Sequence, residues 1–591
     1  METALRGRFF FMAGGAEDVP WLRVPATTSK LNPMRCLFRT FLCLSLLACA
    51  GHAGATSRLP SHAIASAHPL ATEAGFEVLG EGGNAFDAAV AVTAALAVVE
   101  PYSSGLGGGG FWLLHRAHDG KEVMVDGRER APLAAHRDLY LDAEGKVIPG
   151  LSVDGPLAAG IPGVPAALEH LARHYGRLSL RRTLAPAIRL AREGFAVDEH
   201  YRRLARFRLE ALRASPAGAD QFLVNGGIPD SGHVLRQPDL ARTLESIAQE
   251  GAAGFYRGQL ALRLVAGVRA AGGIWSLEDL SDYRVKERAP IRGDYQGYRI
   301  TAASPPSSGG VVLMQILNQL ALLGAESGDS LLGRHLMIES MRRAYRDRAL
   351  YLGDPDFVTL PTARLLSRHY AAQLVATIDP RRATPSGELP GAAPVGEGHH
   401  TTHFSILDRE GNRVAATLSI NYPFGSGFVP PGTGVLLNDE MDDFSAKPGV
   451  PNVYGLVGGE ANAIAPGKRM LSSMTPTFVE NGERLAILGT PGGSRIITMV
   501  LQGVLDFVAG AGAEAIVSRP RIHHQYLPDR VEAEPDALSE SGIEALRRLG
   551  HAVEVRKRPW GNMQVVTLDR RTGRMEAASD PRGIGRAAVR P

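Results

Sequence analysis

Residues 401–421 read TTHFSILDREGNRVAATLSIN, and the interpretation of the whole chain starts from this stretch. Polar and apolar side chains alternate from Thr401 onward, which is the period of a half-buried β-strand. The segment Asp408–Asn412 is rich in turn-forming residues, and the alternation resumes at Arg413. The sequence therefore predicts a β-hairpin with a short loop.

The length of this loop fixes the register of the hairpin. His403 is predicted to lie opposite Thr417, and Thr401 opposite Ser419. Directly opposed side chains are about 5 Å apart, so Ser419, and Asn421 one polar step further on, share a face with Thr401. Two interpretations remain open at this point. The polar face carries chemistry, or it is the solvent-facing side of an ordinary amphipathic hairpin.

A break in the chain before Thr401 would give this residue both a nucleophile and a base. A hydroxyl is a weak nucleophile unless a base lies beside it, and the α-amine of an N-terminal threonine supplies one. The preceding segment, Thr384–His400, is rich in Gly, Pro and Ala and has no periodicity, which predicts a surface loop. We therefore predict a cleavage site between His400 and Thr401.

The composition is typical of a soluble globular enzyme. The 591 residues are 45% hydrophobic and 21% charged, and a net charge of +3 is too small to indicate a nucleic-acid partner. The first 55 residues are interpreted as an upstream extension and a signal peptide. Met34–Ala55 has a basic start, a short apolar stretch and a small-residue end, so it predicts export rather than a membrane span. It also contains the chain's three cysteines, and lipid attachment at Cys49 is the minor alternative.

The rest of the chain predicts one mixed α/β domain. Ala85–Val99 is apolar on nearly every side and is expected to be a buried central helix. Leu184–Glu193 is expected to be an amphipathic helix with Pro186 in its first turn and Gly194 after its end. The other predicted elements are one strand and two helices: Leu485–Leu488, Val311–Leu323 and Ile496–Val508.

Eight motifs occur along the chain in a specific order. They are EGGNA at 81–85, LGGGGF at 106–111, PPSSGG at 305–310, LGDPDF at 352–357, TTH at 401–403, NDEMDDFSAKP at 438–448, LSSM at 471–474 and PGGSR at 491–495. In this order they resemble the γ-glutamyltransferases, a family of N-terminal-nucleophile hydrolases. The resemblance extends from about Ser61 to Arg582.

This resemblance implies a fold and an activity. The fold is a four-layer αββα sandwich of the α/β (α+β) class, whose core is shared by two autocleaved subunits, 56–400 and 401–591. The activity is cleavage of γ-glutamyl amides such as glutathione through a γ-glutamyl ester on Thr401. The glutamyl group then passes to water, or to an amino acid or dipeptide. The resemblance implies no cofactor and no metal, and a heterodimer of the two subunits.

The resemblance also implies which residues bind the glutamyl group, which carries one carboxylate and one ammonium. Arg128 would pair with the α-carboxylate, assisted by the hydroxyl groups of Ser472 and Ser473. The α-ammonium would be held by acidic and amide side chains: Asp443, Glu440 and Asn421. Taken singly, Arg128 also suits an exposed strand end, and Asp443 a turn or helix cap.

Further site residues follow from the same comparison. Gly492 and Gly493 are expected to direct backbone N–H groups at a developing oxyanion. The same geometry suits a phosphate loop, but the segment lacks a Gly-Lys-Ser/Thr ending. Tyr454 resembles the aromatic residue of a lid, although a loop tyrosine is also compatible with simple packing. Ser419 stands where some relatives have threonine, and Glu440 where some have glutamine.

Three other hypotheses fit the sequence less well. A metal site at His399, His400 and His403 is disfavoured because cleavage would separate the first two histidines from the third. A glutaryl or cephalosporin-type acylase is the alternative within the same fold, but its acyl group lacks the ammonium that Asp443 would bind. An inactive binding protein is the alternative from another class, and the presence of Thr401 and Ser419 argues against it. His523 and His524 are expected to be structural.

Overall fold

The computed structural model describes residues 58–324, 330–389 and 401–591. Two antiparallel sheets form the centre of the unit Arg58–Pro591. The first sheet has seven strands, in the order Arg586–Arg590, His62–Ser66, Thr402–Leu407, Arg413–Ser419, Gly109–Arg116, Lys121–Gly127 and Lys286–Arg288. The second has six, in the order Met575–Ser579, Gln564–Asp569, Arg484–Gly489, Thr477–Glu480, Tyr298–Ala302 and Ile291–Tyr295. Each sheet contains strands from both sides of residue 400, so the two predicted subunits share one core.

The strands are numbered in chain order. They are β1 (His62–Ser66), β2 (Gly109–Arg116), β3 (Lys121–Gly127), β4 (Phe195–Ala196), β5 (Val234–Leu235), β6 (Lys286–Arg288), β7 (Ile291–Tyr295), β8 (Tyr298–Ala302), β9 (Thr402–Leu407), β10 (Arg413–Ser419), β11 (Thr477–Glu480), β12 (Arg484–Gly489), β13 (Ile522–His523), β14 (Val531–Ala533), β15 (Val553–Val555), β16 (Gln564–Asp569), β17 (Met575–Ser579) and β18 (Arg586–Arg590).

The α-helices are numbered in the same way. They are α1 (Pro69–Gly80), α2 (Ala85–Val99), α3 (Val164–His174), α4 (Leu180–Glu193), α5 (Glu199–Phe207), α6 (Leu209–Ala214), α7 (Pro216–Phe222), α8 (Pro238–Glu250), α9 (Ala253–Tyr256), α10 (Gly258–Ala270), α11 (Leu277–Ser281), α12 (Gly309–Leu323), α13 (Leu331–Tyr351), α14 (Thr362–Leu365), α15 (Arg368–Val375), α16 (Ile496–Val508), α17 (Ala513–Ser518) and α18 (Glu540–Arg548).

Two hydrophobic cores confirm the predicted four-layer sandwich. In the first core, Phe404 and Ile406 of β9 pack with helices that include α2, α4 and α8. In the second, residues of both sheets pack together with α12, α13 and α16 on the far side. The layer order is therefore helices, first sheet, second sheet, helices, and the predicted helix Ala85–Val99 is buried along its whole length.

The central hairpin has the predicted register. Leu407 pairs with Arg413, and His403 with Thr417, so the loop has the expected five residues. Both faces of the hairpin are buried, and this excludes a polar face in water. His403 Nδ1 lies 2.8 Å from Thr417 Oγ1, and Ser405 Oγ donates to the backbone oxygen of Gln564 in the second sheet at 3.1 Å.

One predicted helix boundary is wrong. The helix that was expected to begin at Leu184 begins at Leu180, and Pro186 lies inside it rather than in its first turn. A proline in a helix interior removes one backbone hydrogen bond. Packing of α4 against α2 and α8 compensates, since Leu184 and Ala187 are fully buried in the first core.

Candidate active site

The hairpin brings Thr401 and Ser419 together. Thr402 pairs with Leu418, so Thr401 follows in register opposite Ser419. Ser419 also pairs with Gly109 of β2, which places it inside the first sheet rather than at an edge. Both residues line the same cavity, and Thr401 is only 6% exposed.

Nearly all of the predicted site residues line this cavity, although they come from widely separated parts of the chain. Those that line it are Arg128, Thr401, Ser419, Asn421, Glu440, Asp443, Tyr454, Ser472, Ser473 and Gly493. Gly492 is not among the described residues that line it. The sequence did not predict four further lining residues: Leu456, Met474, Ser494 and Ile496.

Arg128 is the electrostatic centre of the cavity. Its two Nη atoms donate to the carboxylates of Glu440 and Asp443, and its Nε donates to the backbone oxygen of Met470 at 3.2 Å. A third carboxylate, that of Glu129, lies 3.6 Å from Nη1. The residues that were expected to bind opposite ends of a substrate are therefore bound to one another.

Burial governs the protonation of this cluster. It raises the pKa of Glu440 to about 7 and raises the pKa of Asp443, in both cases against the attraction of Arg128. The pKa of Glu129 is raised well above its ordinary value for the same reason. Burial also opposes the charge of Arg128, but its carboxylate neighbours outweigh burial and raise the pKa of the guanidinium. One guanidinium surrounded by three buried carboxyl groups favours retention of protons on some of them.

A second buried arginine, which the sequence did not predict, contacts Ser473 directly and Ser472 through Ser308. Arg348, at the end of α13, donates to Ser473 Oγ at 3.2 Å and to Ser308 Oγ at 2.9 Å. The backbone oxygen of Ser472 accepts from the backbone N–H of Ser308 at 2.8 Å. Burial lowers the pKa of Arg348, while Asp443 favours its charged form. The sequence feature that could have identified Arg348 is its position just before the LGDPDF motif.

Asn421 turns the chain at the cavity wall. Its φ of 71° is in the left-handed region, which asparagine tolerates better than most residues. Its backbone N–H donates to Ser419 Oγ at 2.8 Å, and its side-chain amide donates to the backbone oxygen of Asp439 at 3.0 Å. Tyr454 OH donates to the backbone oxygen of Asn421 at 2.7 Å and so closes one side of the cavity.

The glycine pair lies between β12 and α16, as predicted. Gly492 has φ 144° and Gly493 φ 57°, both in the region that favours glycine. A short 3₁₀ helix, Gly493–Arg495, continues directly into α16. A Cβ on Gly492 would lie 2.4 Å from Met499 Cε, the end of a flexible side chain that can shift, so the backbone conformation is what favours glycine there.

Four buried histidines outside this cavity, His335, His523, His524 and His551, are engaged in hydrogen bonds. His523 and His524 are buried and contact Thr498, Gln525 and Asp529. Among the described residues, His335, Glu339 and His551 are close enough to hold a metal ion. However, His335 Nδ1 lies 2.8 Å from His551 Nε2, and the Glu339 carboxylate accepts from Arg343 at 2.6 Å and from the backbone N–H of Thr384. These are the contacts of a hydrogen-bond network.

Comparison with known proteins identifies the family. The model of the gamma-glutamyltranspeptidase family matches residues 71–590. The chain belongs to this family.

Individual relatives extend over most of the chain. The glutathione hydrolase proenzyme of Pseudomonas sp. (strain A14) is 45% identical over 82% of this chain and 85% of that protein. The glutathione hydrolase proenzyme of Escherichia coli (strain K12) is 42% identical over 88% of this chain and 90% of that protein. Among solved structures, the cephalosporin acylase from Bacillus halodurans has a TM-score of 0.79 at 30% identity, covering 90% of this chain and 96% of the acylase.

Two predictions fall outside the described residues. His400, and most of the loop before the expected cleavage site, belong to residues 390–400, and the predicted signal peptide belongs to residues 1–57. Within the described ranges, no helix is long and apolar enough to cross a membrane.

Proposed function

We propose that this chain is an exported precursor that cuts itself before Thr401 and then transfers γ-glutamyl groups. The donors would be γ-glutamyl amides such as glutathione, and the acceptors water, amino acids or dipeptides. One observation carries the proposal. Thr401 lines a buried cavity together with a guanidinium, two carboxyl groups and two serine hydroxyls, the groups needed to bind a glutamyl head.

Self-cleavage requires only the threonine and the preceding peptide bond. The Thr401 hydroxyl attacks the carbonyl carbon of His400, the C–N bond breaks, and the nitrogen takes the hydroxyl proton. Water then hydrolyses the resulting ester and leaves Thr401 with a free α-amine. The two fragments would stay together because each sheet contains hydrogen-bonded strands from both of them.

Turnover uses the amine that cleavage releases. The α-amine accepts the hydroxyl proton as Thr401 Oγ attacks the γ-carbonyl carbon of the donor, and the proton passes to the departing amine as the amide C–N bond breaks. Water or an acceptor amine then attacks the ester, and Thr401 regains its proton. The backbone N–H of Gly493, at the cavity wall, is the proposed donor to the oxyanion of each tetrahedral intermediate.

The buried ion pairs supply the selectivity for a glutamyl group. An incoming α-carboxylate would take up hydrogen bonds from Arg128, Ser472 and Ser473, and the α-ammonium would face Asp443 and Glu440. The substrate carboxylate would thus replace a carboxylate of the protein as a partner of Arg128, and the substrate ammonium would replace Arg128 as the partner of that carboxylate. Tyr454 and the segment around it would act as the lid.

Two measurements test the proposal together. Intact mass and N-terminal sequencing of the purified protein should reveal a fragment that begins at Thr401, and the protein should release glutamate from glutathione. Thr401→Ala should remain uncut and inactive because it lacks the hydroxyl. Thr401→Ser, which keeps the hydroxyl, should still be cut. A cleaved or active Thr401→Ala variant would contradict the mechanism.

A further inference from the structure

A row of three aromatic side chains leads away from the active-site cavity. Tyr454 lines the cavity, and its ring centroid lies 6.5 Å from that of Tyr422. Tyr422 in turn lies 5.5 Å from Phe207, with an angle of 60° between the ring planes. Both distances are within the range of favourable aromatic contacts. The aromatic row is defined as Tyr454, Tyr422 and Phe207.

The outer end of the row is open to solvent. Phe207, the last residue of α5, is 59% exposed, more than any other large hydrophobic side chain of the described residues. An exposed phenylalanine alone requires no explanation. This one is continuous, through Tyr422, with the wall of the cavity that contains Thr401.

The middle of the row is rigidly supported. The guanidinium of Arg208 lies 5.2 Å from the ring centroid of Tyr422, within the range of a cation–π contact. Arg208 is held by its own bonds, because Nε donates to the backbone oxygen of Pro423 at 2.9 Å and Nη2 to that of Gly425 at 2.8 Å. Its Nη2 also lies 2.7 Å from Asp154 Oδ1. Tyr422 is therefore held in place by an arginine that is itself fixed by hydrogen bonds and an ion pair.

The position of the row restricts what it can bind. The glutamyl head would occupy the charged cluster around Arg128. The aromatic row is therefore left for the other half of the donor, the amine component. The amine that leaves the donor and the amine that attacks the ester occupy the same place, since the second step reverses the first. One surface therefore serves both leaving group and acceptor.

We propose that the aromatic row is a subsite for a large apolar or aromatic side chain on the amine component of the γ-glutamyl amide. This inference rests on the proposed function and adds a substrate class to it. The exposed ring of Phe207 and the half-buried ring of Tyr422 offer aromatic surface, so an aromatic side chain gains stacking and apolar burial there, whereas a methyl group is too short to gain either.

The test compares two donors that differ only in this side chain, γ-glutamyl-phenylalanine and γ-glutamyl-alanine. For Phe207→Ala and Tyr422→Thr, kcat/KM for γ-glutamyl-phenylalanine should fall by about three- to tenfold, the effect of losing one aromatic contact. For γ-glutamyl-alanine it should stay within about twofold. Tyr422→Phe keeps the ring and should keep the preference.

Leu332→Ala is the matched control. Leu332 is 51% exposed and lies in the first turn of α13, sixteen residues before Arg348, so the helical rise places it about 24 Å from Arg348 along the helix axis. It should leave the ratio of the two donors unchanged. Equal losses for both donors, or an unchanged ratio in both ring variants, would overturn the subsite. A wild-type protein that hydrolyses neither donor would instead refute the proposed function.

Discussion

Replacing Asp443 with asparagine separates recognition of the ammonium from the rest of the site. The substitution keeps the shape of the side chain and removes its charge. Asp443 lies against Arg128 with its side chain only 12% exposed, and Arg128 also contacts Glu440 and Glu129. The guanidinium therefore keeps carboxylate partners in the variant, and we expect it to fold.

The expected loss follows from the cost of leaving a buried charge without its partner. Truncation of one member of a buried charge pair typically costs about 2–5 kcal/mol, and every 1.4 kcal/mol is about tenfold in an equilibrium constant. The other carboxylate at the ammonium position, Glu440, remains, so the lower part of the range applies. We expect kcat/KM for γ-glutamyl-p-nitroanilide to fall by about 30- to 300-fold.

The matched substrate is glutaryl-p-nitroanilide, which lacks the ammonium. Its kcat/KM should stay unchanged or rise by a few-fold, because it has no ammonium for Asp443 to bind and the variant no longer leaves that carboxylate without a partner. Asp442→Asn is the control variant. Asp442 is also buried, but its carboxylate accepts from Ser152 Oγ at 2.6 Å and from the backbone N–H of Val453 at 2.9 Å. Equal losses for both substrates in Asp443→Asn would refute the assignment of the ammonium site and favour an acylase.

Three further predictions concern pH and packing. The pKa of Glu440 is raised by burial to about 7, so its carboxylate gains charge as the pH rises through 7. The inhibition constant of L-glutamate should therefore decrease over that interval. Glu440→Gln should remove this pH dependence, and a retained dependence would assign it to another group. The same shift means that native Glu440 holds its proton between about pH 4.5 and 7 while the unfolded chain has lost it, so its contribution to stability falls as the pH rises through that window. Gly489→Ala should lower the melting temperature, because the new Cβ would lie 2.3 Å from the His403 ring between the two sheets, at a typical overpacking cost of about 1–3 kcal/mol. Gly482→Ala is the control and should leave the melting temperature unchanged, because Gly482 lies in the β11–β12 turn and a Cβ there has no neighbouring atom within 4 Å. Equal stability of the two variants would refute the packing argument.

Local patterns in the sequence were enough to predict the hairpin, but not its surroundings. The two-residue period and the five-residue loop fix which residues of β9 and β10 face each other, because every slip of one residue would reverse the faces. They do not indicate that His403 and Ser405 meet a second sheet. That sheet includes β16, whose Gln564 lies more than 150 residues later in the chain. Burial of a polar face depends on such long-range packing.

The start of α4 shows a different limit. The prediction gave weight to the preference of proline for the first turn, which is a local tendency. In the structure Leu184 and Ala187 are buried against neighbouring helices, and the helix extends four residues further toward its N-terminus despite Pro186. Tertiary packing can outweigh one missing hydrogen bond, and such packing cannot be predicted from the local sequence.

The contacts among the site residues also could not be predicted from the sequence. The motifs identified Arg128, Glu440 and Asp443, and charge complementarity assigned each of them to one end of a glutamyl group. Their mutual ion pairs follow from burial, since charges removed from water need partners within the protein. Arg348 was missed because its role depends on the position of α13 beside the two serines.

These internal ion pairs provide a physical basis for selectivity. A glutamyl head carries one positive and one negative charge, so its entry leaves the net charge of the cavity unchanged. In the proposed binding mode, Arg128 would exchange a carboxylate of the protein for one of the substrate, and the displaced carboxylate would receive the ammonium. An acyl group with a carboxylate but no ammonium would complete only half of this exchange and leave Asp443 or Glu440 without a cation. The arrangement would therefore discriminate against glutaryl groups through the cost of the unpaired acid, in addition to any contact that it makes with the correct substrate.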